Sequence, residues 1–290
     1  MHILESHTVP NQETTLRLQE YAVGIFKTIT TKSALKKAIK KNLIFVDGQI
    51  APTSKFISGG EKIELIASEW QNSKKQFIYT LNVIYEDQYL AVIEKPAGIL
   101  VSGNTFKTID NALTQNLTMS SLPDVVRPRP VHRLDYPTTG LLLVGKTSSS
   151  ILILNKLFEK KEVQKTYHAI CIGKMKSNEI ICAPVDDKEA VSSYKVLQSV
   201  ASKRFGYLNL VTLSPKTGRK HQLRNHLSGI GNPILGDKEY GIEGQILNGK
   251  GLYLHASDLS FIHPFTKEQM VVKSELPKKF IKIFPSLASS

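Results

Sequence analysis

The sequence predicts an α+β fold with a mixed sheet, and two observations support this prediction. The chain has 290 residues, of which 41 % are hydrophobic and 22 % are charged, so it is globular and can bury a sizeable core. Segments with the periodicity of strands and segments with the periodicity of helices follow each other without regular alternation. That order favours α+β over a doubly wound fold, in which strands and helices alternate.

A small unit is expected over residues 13–68, and its first clear element is a helix. Residues 32–41 place Leu35 and Ile39 on one face, while lysines line another face. This pattern predicts a helix that buries its apolar side and exposes its lysines to solvent or to a polyanion.

Strands are expected to follow this helix in the same unit. The apolar run 43–46 ends at Asp47-Gly48, a pair that is typical of tight turns. After a second turn at Gly59-Gly60, residues 62–66 alternate like a strand. The unit is therefore expected to combine a helix with a small sheet.

The polar stretch 68–76 is the expected linker, which places one domain at residues 1–74 and another at 75–290. In the second domain, strands are predicted at 89–93, 141–144, 166–172 and 206–213. Helices are predicted after the serines 148–150 and over 218–227. Residues 103–130 contain three prolines and are predicted to be irregular.

Positive charge is concentrated in two segments of the second domain. The chain has a net charge of +13 at pH 7. Residues 127–174 hold nine Lys/Arg and three Asp/Glu, and residues 195–225 hold seven Lys/Arg and no acid. Polyanions bind where charge is clustered, so nucleic acid or another anionic surface is the expected partner. The alternative is that these residues are scattered solubilising charges.

Several functional classes are disfavoured. Two cysteines, Cys171 and Cys182, rule out a disulfide framework or a Cys-rich zinc module and suggest a reducing compartment. No signal peptide is evident and no apolar run approaches the ~20 residues of a membrane span, so a cytoplasmic protein without a membrane partner is expected. Residues 140–147 fit the phosphate-loop pattern of NTPases, but their four large apolar residues predict a buried strand. An NTPase is kept as an alternative.

One turn gathers several chemically active side chains. Residues 132–140 bring a carboxylate, a guanidinium, an imidazole and two hydroxyls together before a predicted strand. In isolation, Asp135 would be an ordinary turn residue that bonds its own backbone. The whole string, with His-Arg-Leu-Asp followed by two variable residues and Thr-Thr-Gly, resembles the signature of the RluA-type pseudouridine synthases. It departs from that signature at Thr139, where serine is usual, and the hydroxyl is kept.

Other segments match further landmarks of this family. Lys165-Thr166-Tyr167 is similar to the strand that carries the family's tyrosine, and 218–227 is similar to the helix with its active-site arginine. More matches lie at 94–98, 236–241 and 254–256, so the resemblance spans roughly residues 82–273. It implies the pseudouridine synthase fold, with a largely antiparallel sheet and flanking helices. Residues 13–68 separately resemble the S-four-type (alpha-L) RNA-binding domain that often precedes this catalytic domain.

The resemblance implies a protein that isomerises uridine in RNA to pseudouridine without a metal, nucleotide or redox cofactor. The bond from C1′ to N1 breaks, the uracil turns, and C5 bonds to C1′. Asp135 is the implied carboxylate, which either attacks carbon as a nucleophile or removes a sugar proton. Arg224 is the implied partner that keeps Asp135 ionised. Tyr167 is expected to offer an apolar face that stacks on uracil and a hydroxyl that serves the removal of the C5 proton.

RNA is the implied partner, with large-subunit ribosomal RNA as the expected substrate and transfer RNA as the alternative. Arg133 is the expected wedge or phosphate grip for a flipped uridine, and His132 either bonds the turn or contacts RNA. Further RNA-binding residues are expected at Arg219, Lys36, Lys37 and Lys40. A monomer is expected. The rival class is a non-catalytic RNA-binding or ribosome-assembly protein on the same fold.

Overall fold

The chain forms two compact units, Met1–Lys75 and Gln76–Ser290. A computed structural model describes residues 3–26, 29, 31–66, 77–247 and 249–289. The polar stretch that is the predicted linker, 68–76, lies outside the described residues.

The first unit combines a four-stranded antiparallel sheet with a two-stranded ribbon and two helices. Its strands are β1 (Ile3–Thr8), β2 (Leu16–Arg17), β3 (Ile44–Val46), β4 (Gln49–Ile50), β5 (Phe56–Ile57) and β6 (Lys62–Ile66). Its helices are α1 (Leu18–Tyr21) and α2 (Lys32–Lys40). The sheet has the order β1-β6-β3-β4, and β2 pairs with β5 in the ribbon.

The predicted helix and hairpin of this unit are confirmed. Thr31 caps α2, because its hydroxyl oxygen accepts a hydrogen bond at 3.2 Å from a backbone amide in the first turn. Leu35 and Ile39 are buried in the core of the unit. Asp47 and Gly48 both have left-handed φ angles, 50° and 77°, as a two-residue hairpin between β3 and β4 requires.

The alternating burial predicted for strand 62–66 is wrong, although the strand itself is present. Its last four residues are all buried. β6 lies between β1 and β3, so both of its edges are paired. Glu64 is 8 % exposed and its carboxylate lies 2.6 Å from the Lys62 ammonium, which satisfies the charge of a side chain that the pattern places in solvent.

The second unit is built on a ten-stranded sheet. Its strands are β7 (Asn82–Glu86), β8 (Leu90–Lys95), β9 (Val125–Pro130), β10 (Thr139–Thr147), β11 (Gln164–Ile172), β12 (Asn178–Ile181), β13 (Ser192–Ser202), β14 (Gly206–Pro215), β15 (Leu254–Ile262) and β16 (Gln269–Lys273). They follow the order β12-β13-β14-β11-β15-β10-β8-β7, with β9 on β10 and β16 on β15. The pair β10–β15 is parallel and the other described pairs are antiparallel, so the sheet is mixed, as predicted.

Helices follow or flank this sheet at several points. They are α3 (Ile109–Asn116), α4 (Ser148–Glu159), α5 (Gln222–Gly229), α6 (Lys278–Ile281) and a 3-10 helix at Pro285–Ser289. The cap of α4 is Thr147 rather than one of the serines that follow it. Thr147 and Ser150 each accept a hydrogen bond from the other's backbone amide, so the helix starts directly at the end of β10.

The prediction that residues 103–130 are irregular is wrong, since α3 and β9 lie there. Thr108 caps α3 through its hydroxyl, and the apolar face of the helix is buried. Pro128 and Pro130 belong to β9, which pairs with β10. A proline has no amide hydrogen, and an edge strand tolerates it because half of its backbone groups point away from the ladder.

Strand β10 rules out the phosphate-loop interpretation. Its residues 141–144 are completely buried, so they form a strand of the core instead of an exposed loop. Lys146 is also buried, and its ammonium lies 2.6 Å from Glu86 Oε1. The lysine that a nucleotide would need is therefore already ion-paired. What β10 does carry is the turn at its beginning, where Asp135 is found.

Candidate active site

A cavity of about 1070 Å³ lies in the second unit, and both basic segments of the sequence line it. The cations on its wall are Arg133, Lys161, Lys165, Lys216, Arg219 and Lys220. The acids on the same wall are Asp135 and Glu159. The fold thus joins two separate basic stretches into one surface, which favours a polyanionic ligand.

Asp135 stands in the turn that connects β9 to β10. The Thr138 amide donates a hydrogen bond to the Asp135 carbonyl at 3.1 Å, which closes the turn. Gly140 follows with a φ of 115°, and a Cβ at this position would lie 2.2 Å from the Ala256 carbonyl oxygen. A residue with a side chain cannot fit there, so glycine lets β10 pass close to β15 and hold Asp135 at the cavity wall.

Lys95 supports the same turn from inside the protein, and it is not among the predicted site residues. Its side chain is fully buried, and its ammonium donates to the carbonyls of Pro96 at 2.8 Å, Tyr136 at 3.3 Å and Thr138 at 2.8 Å. Burial lowers the pKa of Lys95 to about 8, and the charge of Asp135 opposes this shift. The signal in the sequence is a lysine that ends an apolar strand immediately before a proline.

Tyr167 shares the cavity wall with Asp135, as the resemblance implies. It lies on β11, is 8 % exposed, and pairs in register with Leu213 and Ala256. Burial raises the pKa of the Tyr167 hydroxyl, and the charge of Asp135 raises it further. The phenol therefore stays protonated at physiological pH. This state disfavours Tyr167 as a phenolate base and favours the stacking role.

Arg224 lies on α5, but its bidentate partner is Asp237 and not Asp135. Its Nε and Nη2 donate to the two Asp237 oxygens at 2.7 Å each, and Nη2 also donates to Glu239 at 3.1 Å. Burial by itself lowers the pKa of Arg224, but the hydrogen bonds and charge of Asp237, followed by the charges of Asp135 and Glu239, raise it overall. The predicted direct pair is wrong, because the planar guanidinium takes the carboxylate that offers two parallel hydrogen bonds. Asp135 acts on Arg224 through its charge alone.

The imidazole of His221 lies beside the Asp135 carboxylate. Its Nε2 lies 3.8 Å from Asp135 Oδ1, while its Nδ1 lies 3.2 Å from the Tyr240 hydroxyl and 3.3 Å from Glu239. The residue precedes α5 with a φ of 55°, in the left-handed region that few residues other than glycine adopt. This conformation aims the imidazole between two carboxylates, and no periodicity in the sequence indicates it.

His132 bonds the protein backbone from a partly exposed position on the cavity wall. Its Nε2 accepts a hydrogen bond from the Leu143 amide at 2.9 Å, and its ring stacks on Phe158. Burial lowers the pKa of His132 to about 3, and the charge of Lys165 adds to this effect. His132 is therefore a neutral residue that holds β10, as one of its two predicted roles requires, and its contact with RNA stays a prediction.

Arg133 and Arg219 lie on the cavity wall, where residues that contact RNA are expected. Arg219 is held by the loop before α5, because its amide donates to the Gln222 side chain at 3.0 Å and its Nε donates to the Glu189 carbonyl at 3.0 Å. Arg133 is exposed beside Asp135. The remaining predicted RNA-binding residues, Lys36, Lys37 and Lys40, are exposed on α2 in the first unit. Their role stays a prediction.

Two structural features bear on other functional classes. Within the residues that the structure describes, no group of three or more His, Cys, Asp or Glu side chains is arranged to hold a metal ion. In the same part of the chain, none of the helices combines the length and the apolar character that crossing a membrane requires.

Comparison with known proteins agrees with the geometry of this site. Residues 89–229 match the family model of RNA pseudouridylate synthases. A relative named as an uncharacterized RNA pseudouridine synthase from Aquifex aeolicus is 33 % identical, over 88 % of this chain and 88 % of its own. The ribosomal large subunit pseudouridine synthase D of Nitrosomonas europaea is 31 % identical over 93 % of this chain and 84 % of its own.

A transfer RNA relative and a solved structure extend this comparison. The tRNA pseudouridine synthase C of Vibrio vulnificus is 32 % identical over 70 % of this chain and 94 % of its own. The solved structure of human RNA pseudouridylate synthase domain containing 4 superposes with a TM-score of 0.57 at 28 % identity, and it covers 71 % of this chain and 93 % of that one. The signature at Asp135 and these matches show that the chain belongs to the RluA-type RNA pseudouridine synthases, enzymes that isomerise uridine in RNA.

Proposed function

We propose that this enzyme modifies uridine in large-subunit ribosomal RNA, with Asp135 as the reacting group and the first unit as an RNA-binding domain of the S-four type. The choice of substrate rests on one observation: the relatives named for ribosomal RNA and those named for transfer RNA match different shares of this chain. If the substrate were transfer RNA, we would expect the transfer RNA enzymes to match the first unit as well as the second.

Coverage separates the two kinds of relative. The second unit makes up about three quarters of the chain. Ribosomal large subunit pseudouridine synthase D proteins from Nitrosomonas europaea and Pasteurella multocida match 93 % of the chain, so the match must include residues of the first unit. The tRNA pseudouridine synthase C proteins of three Vibrio species match 68–70 % of the chain while covering 91–94 % of themselves. A counterpart of the first unit thus accompanies the ribosomal enzymes, which supports the ribosomal substrate.

The cavity suits a single nucleotide that has left its helix. Flipping a uridine out of folded RNA costs a few kcal/mol, and the cations on the wall offset part of that cost by binding phosphates. Tyr167 offers a ring face on which the uracil stacks. Arg133, exposed and two residues before Asp135, fills the gap that the uridine leaves or grips a phosphate beside it.

The reaction conserves all atoms of the nucleotide except for exchanged protons. The C1′–N1 bond breaks, N1 gains a proton, a C1′–C5 bond forms, and C5 loses its proton. Asp135 starts this sequence either by bonding to the ribose as a nucleophile or by removing a sugar proton. Two side chains support Asp135. His221 lies beside its carboxylate, and Lys95 donates hydrogen bonds to the backbone of its turn.

The first unit supplies RNA affinity in this proposal. Helix α2 buries Leu35 and Ile39 and leaves Lys36, Lys37 and Lys40 exposed. Three ammonium groups on one short helix provide phosphate contacts that require no sequence readout. The small cationic unit therefore anchors structured RNA, while the second unit selects and isomerises the uridine.

The test compares pseudouridine maps of ribosomal and transfer RNA from cells with the gene, without it, and with the Asp135→Asn variant. A site in large-subunit ribosomal RNA that disappears without the gene and stays absent with the variant is the expected result. Loss of a site in transfer RNA alone would contradict the ribosomal substrate. Full restoration by Asp135→Asn would contradict the role of Asp135 while leaving the substrate assignment intact.

A further inference from the structure

Lys165 occupies a special place on the cavity wall. It lies two residues before Tyr167 on β11, so the two side chains leave the same face of the strand. Both line the cavity that contains Asp135. The ammonium of Lys165 also approaches the loop before α5, because a Cβ added at Gly218 would lie 3.8 Å from Nζ. The side chain thus ends between β11 and that loop.

Other lysines withdrawn from solvent in this unit have acceptors of their own. Lys95 donates to three backbone carbonyls. Lys146 pairs with Glu86, and Lys279 donates to the Leu252 carbonyl at 2.6 Å. Lys165 is half-buried, yet within the described part of the chain its ammonium makes neither a hydrogen bond nor an ion pair. A partly desolvated ammonium without an acceptor is unfavourable in the free protein, which points to a ligand that supplies the acceptor.

The neighbours of Lys165 do not neutralise it. Burial, and after it the charge of the nearby Lys165, lowers the pKa of the His132 imidazole, so this neighbour is uncharged at neutral pH. Burial also lowers the pKa of Lys165 itself. The acids on the cavity wall are Asp135 and Glu159, and neither forms an ion pair with Lys165. The charge of Lys165 therefore has no counter-ion among the described residues, which leaves room for an anionic group of a ligand.

We propose that Lys165 binds a phosphate group that flanks the target uridine. The phosphodiester is the anionic group of RNA, and its oxygens accept short charge-assisted hydrogen bonds from an ammonium. A uracil carbonyl would accept a hydrogen bond but would leave the charge of Lys165 unbalanced. The proposal rests on the proposed function in one respect, namely that Asp135 marks where the nucleotide reacts. It makes Lys165 a substrate-binding residue that holds the flipped nucleotide at its backbone.

The test uses RNA in which one phosphate beside the target uridine is replaced by an uncharged methylphosphonate, on its 5′ side in one arm and on its 3′ side in the other. Wild type, Lys165→Met, Lys165→Arg and a control, Lys174→Met, are compared in single-turnover assays. Lys174 is an exposed lysine of the same basic segment that does not line the cavity. Half-saturating RNA concentration, rate at saturation and thermal midpoint are measured for each protein.

We expect Lys165→Met to raise the half-saturating concentration about tenfold, as for the loss of one charged hydrogen bond, with Lys165→Arg and Lys174→Met close to wild type. In wild type, the methylphosphonate on one side should cause a similar loss, and Lys165→Met should lose nothing further with that RNA. The thermal midpoint should not fall, because Lys165 has no protein partner to lose. The proposal would be overturned if the effect of Lys165→Met added to the effect of the methylphosphonate on both the 5′ and the 3′ side. It would also be overturned if Lys165→Met lowered the thermal midpoint and left RNA binding unchanged.

A parallel experiment keeps this inference separate from the assignment of Asp135. RNA binding by Asp135→Asn is measured with the same modified RNAs, alone and combined with Lys165→Met. Turnover by Asp135→Asn would contradict the reacting group, while the response of binding to the methylphosphonate would still report on Lys165. Equal responses with and without Lys165 would instead reject the phosphate contact alone.

Discussion

Three ionisable neighbours of Asp135 have partners of their own. Arg224 is held by Asp237 in a bidentate pair, Lys95 by backbone carbonyls, and His221 by a glutamate and a tyrosine. The Asp135 carboxylate therefore lies among fixed groups and is free to meet a substrate. The sequence predicts the residue types at this site and the shared cavity wall of Asp135 and Tyr167. It does not predict the partner of Arg224, because that partner lies in a loop whose path depends on the whole fold.

The carboxylate of Asp135 is expected to be indispensable for the reaction but not for RNA binding. Asp135→Asn keeps the shape and removes the charge, so isomerisation should fall by at least about 1000-fold. Release of tritium from uridine labelled at C5 measures the rate, and filter binding measures affinity. Asp187→Asn, the same substitution at an exposed turn outside the cavity, should behave as wild type. Turnover by Asp135→Asn within tenfold of wild type would remove Asp135 from the chemistry.

His221 is expected to position the Asp135 carboxylate. Asparagine tolerates the left-handed backbone of this residue better than most side chains, so His221→Asn should remove the imidazole without unfolding the loop. We expect the saturating single-turnover rate to fall about tenfold, which corresponds to the ~1.4 kcal/mol of one modest contact, while RNA affinity and the thermal midpoint stay within error. An unchanged rate, or equal loss of affinity and rate, would show that His221 does not act through Asp135.

At the scale of elements, caps and apolar patterns in the sequence predict a helix or strand correctly where the packing of the fold agrees with the local preference of the residues. Helix α2 has a cap and an apolar face, and the buried strand of β10 has an uninterrupted apolar run, so both follow from the sequence. Strand β9 does not, because its prolines break the pattern while pairing with β10 restores the strand. Helix α3 contains no proline, but it is only eight residues long and lies in a stretch that the prolines at 123, 128 and 130 make look irregular. The strained start of α5 at His221 is likewise invisible, since it depends on contacts with Glu239 and Tyr240.

Helix α2 offers a prediction about affinity. Lys36, Lys37 and Lys40 are exposed on it, and replacing all three with glutamine removes charge while keeping residues that favour helix formation. If they contact phosphates, the slope of log affinity against log salt should decrease by roughly 0.7–0.9 for each lysine. Saturating turnover should stay unchanged, because the cavity is formed by the second unit. The measurement is RNA affinity between low and moderate salt.

A matched control removes an equal amount of charge elsewhere. Lys250, Lys278 and Lys282 are exposed lysines of the second unit outside the cavity wall. Their triple glutamine variant should change the salt slope by much less than the α2 variant. Equal slopes for the α2 variant and wild type would mean that these lysines form a solvated helix face.

At the scale of the molecule, the topology of the sheet determines where the basic segments lie. The segments 127–174 and 195–225 are separate in sequence, and the order β14-β11-β15-β10 brings their residues to one cavity. The sequence shows that charge is clustered but not that the two clusters meet. Buried histidines beside this region have a similar dependence on the fold. His132 and His255 are ordinary in the sequence, yet burial lowers the pKa of the first to about 3 and of the second to about 4.

These two histidines make the second unit sensitive to acid. In the unfolded chain, histidine has a pKa near 6.5, so between about pH 6.5 and 4 the unfolded state binds protons that the folded state does not. The free energy of unfolding should then decrease as pH falls, by up to about 1.4 kcal/mol per pH unit for each histidine, and the stability is fully present above pH 6.5. Urea unfolding between pH 7.5 and 4.5 measures this slope for wild type and for His132→Gln and His255→Gln. At position 132, the glutamine carbonyl can accept the hydrogen bond of the amide that His132 holds. At position 255, the glutamine amide can both donate and accept, in place of the contacts of His255 with the hydroxyls of Thr139 and Ser274. In each single variant, the slope of the unfolding free energy against pH should decrease by the contribution of one histidine, and in the double variant by that of two. This should hold even if the variants are less stable than wild type at pH 7.5. Slopes equal to that of wild type would show that these histidines titrate alike in the folded and unfolded chain.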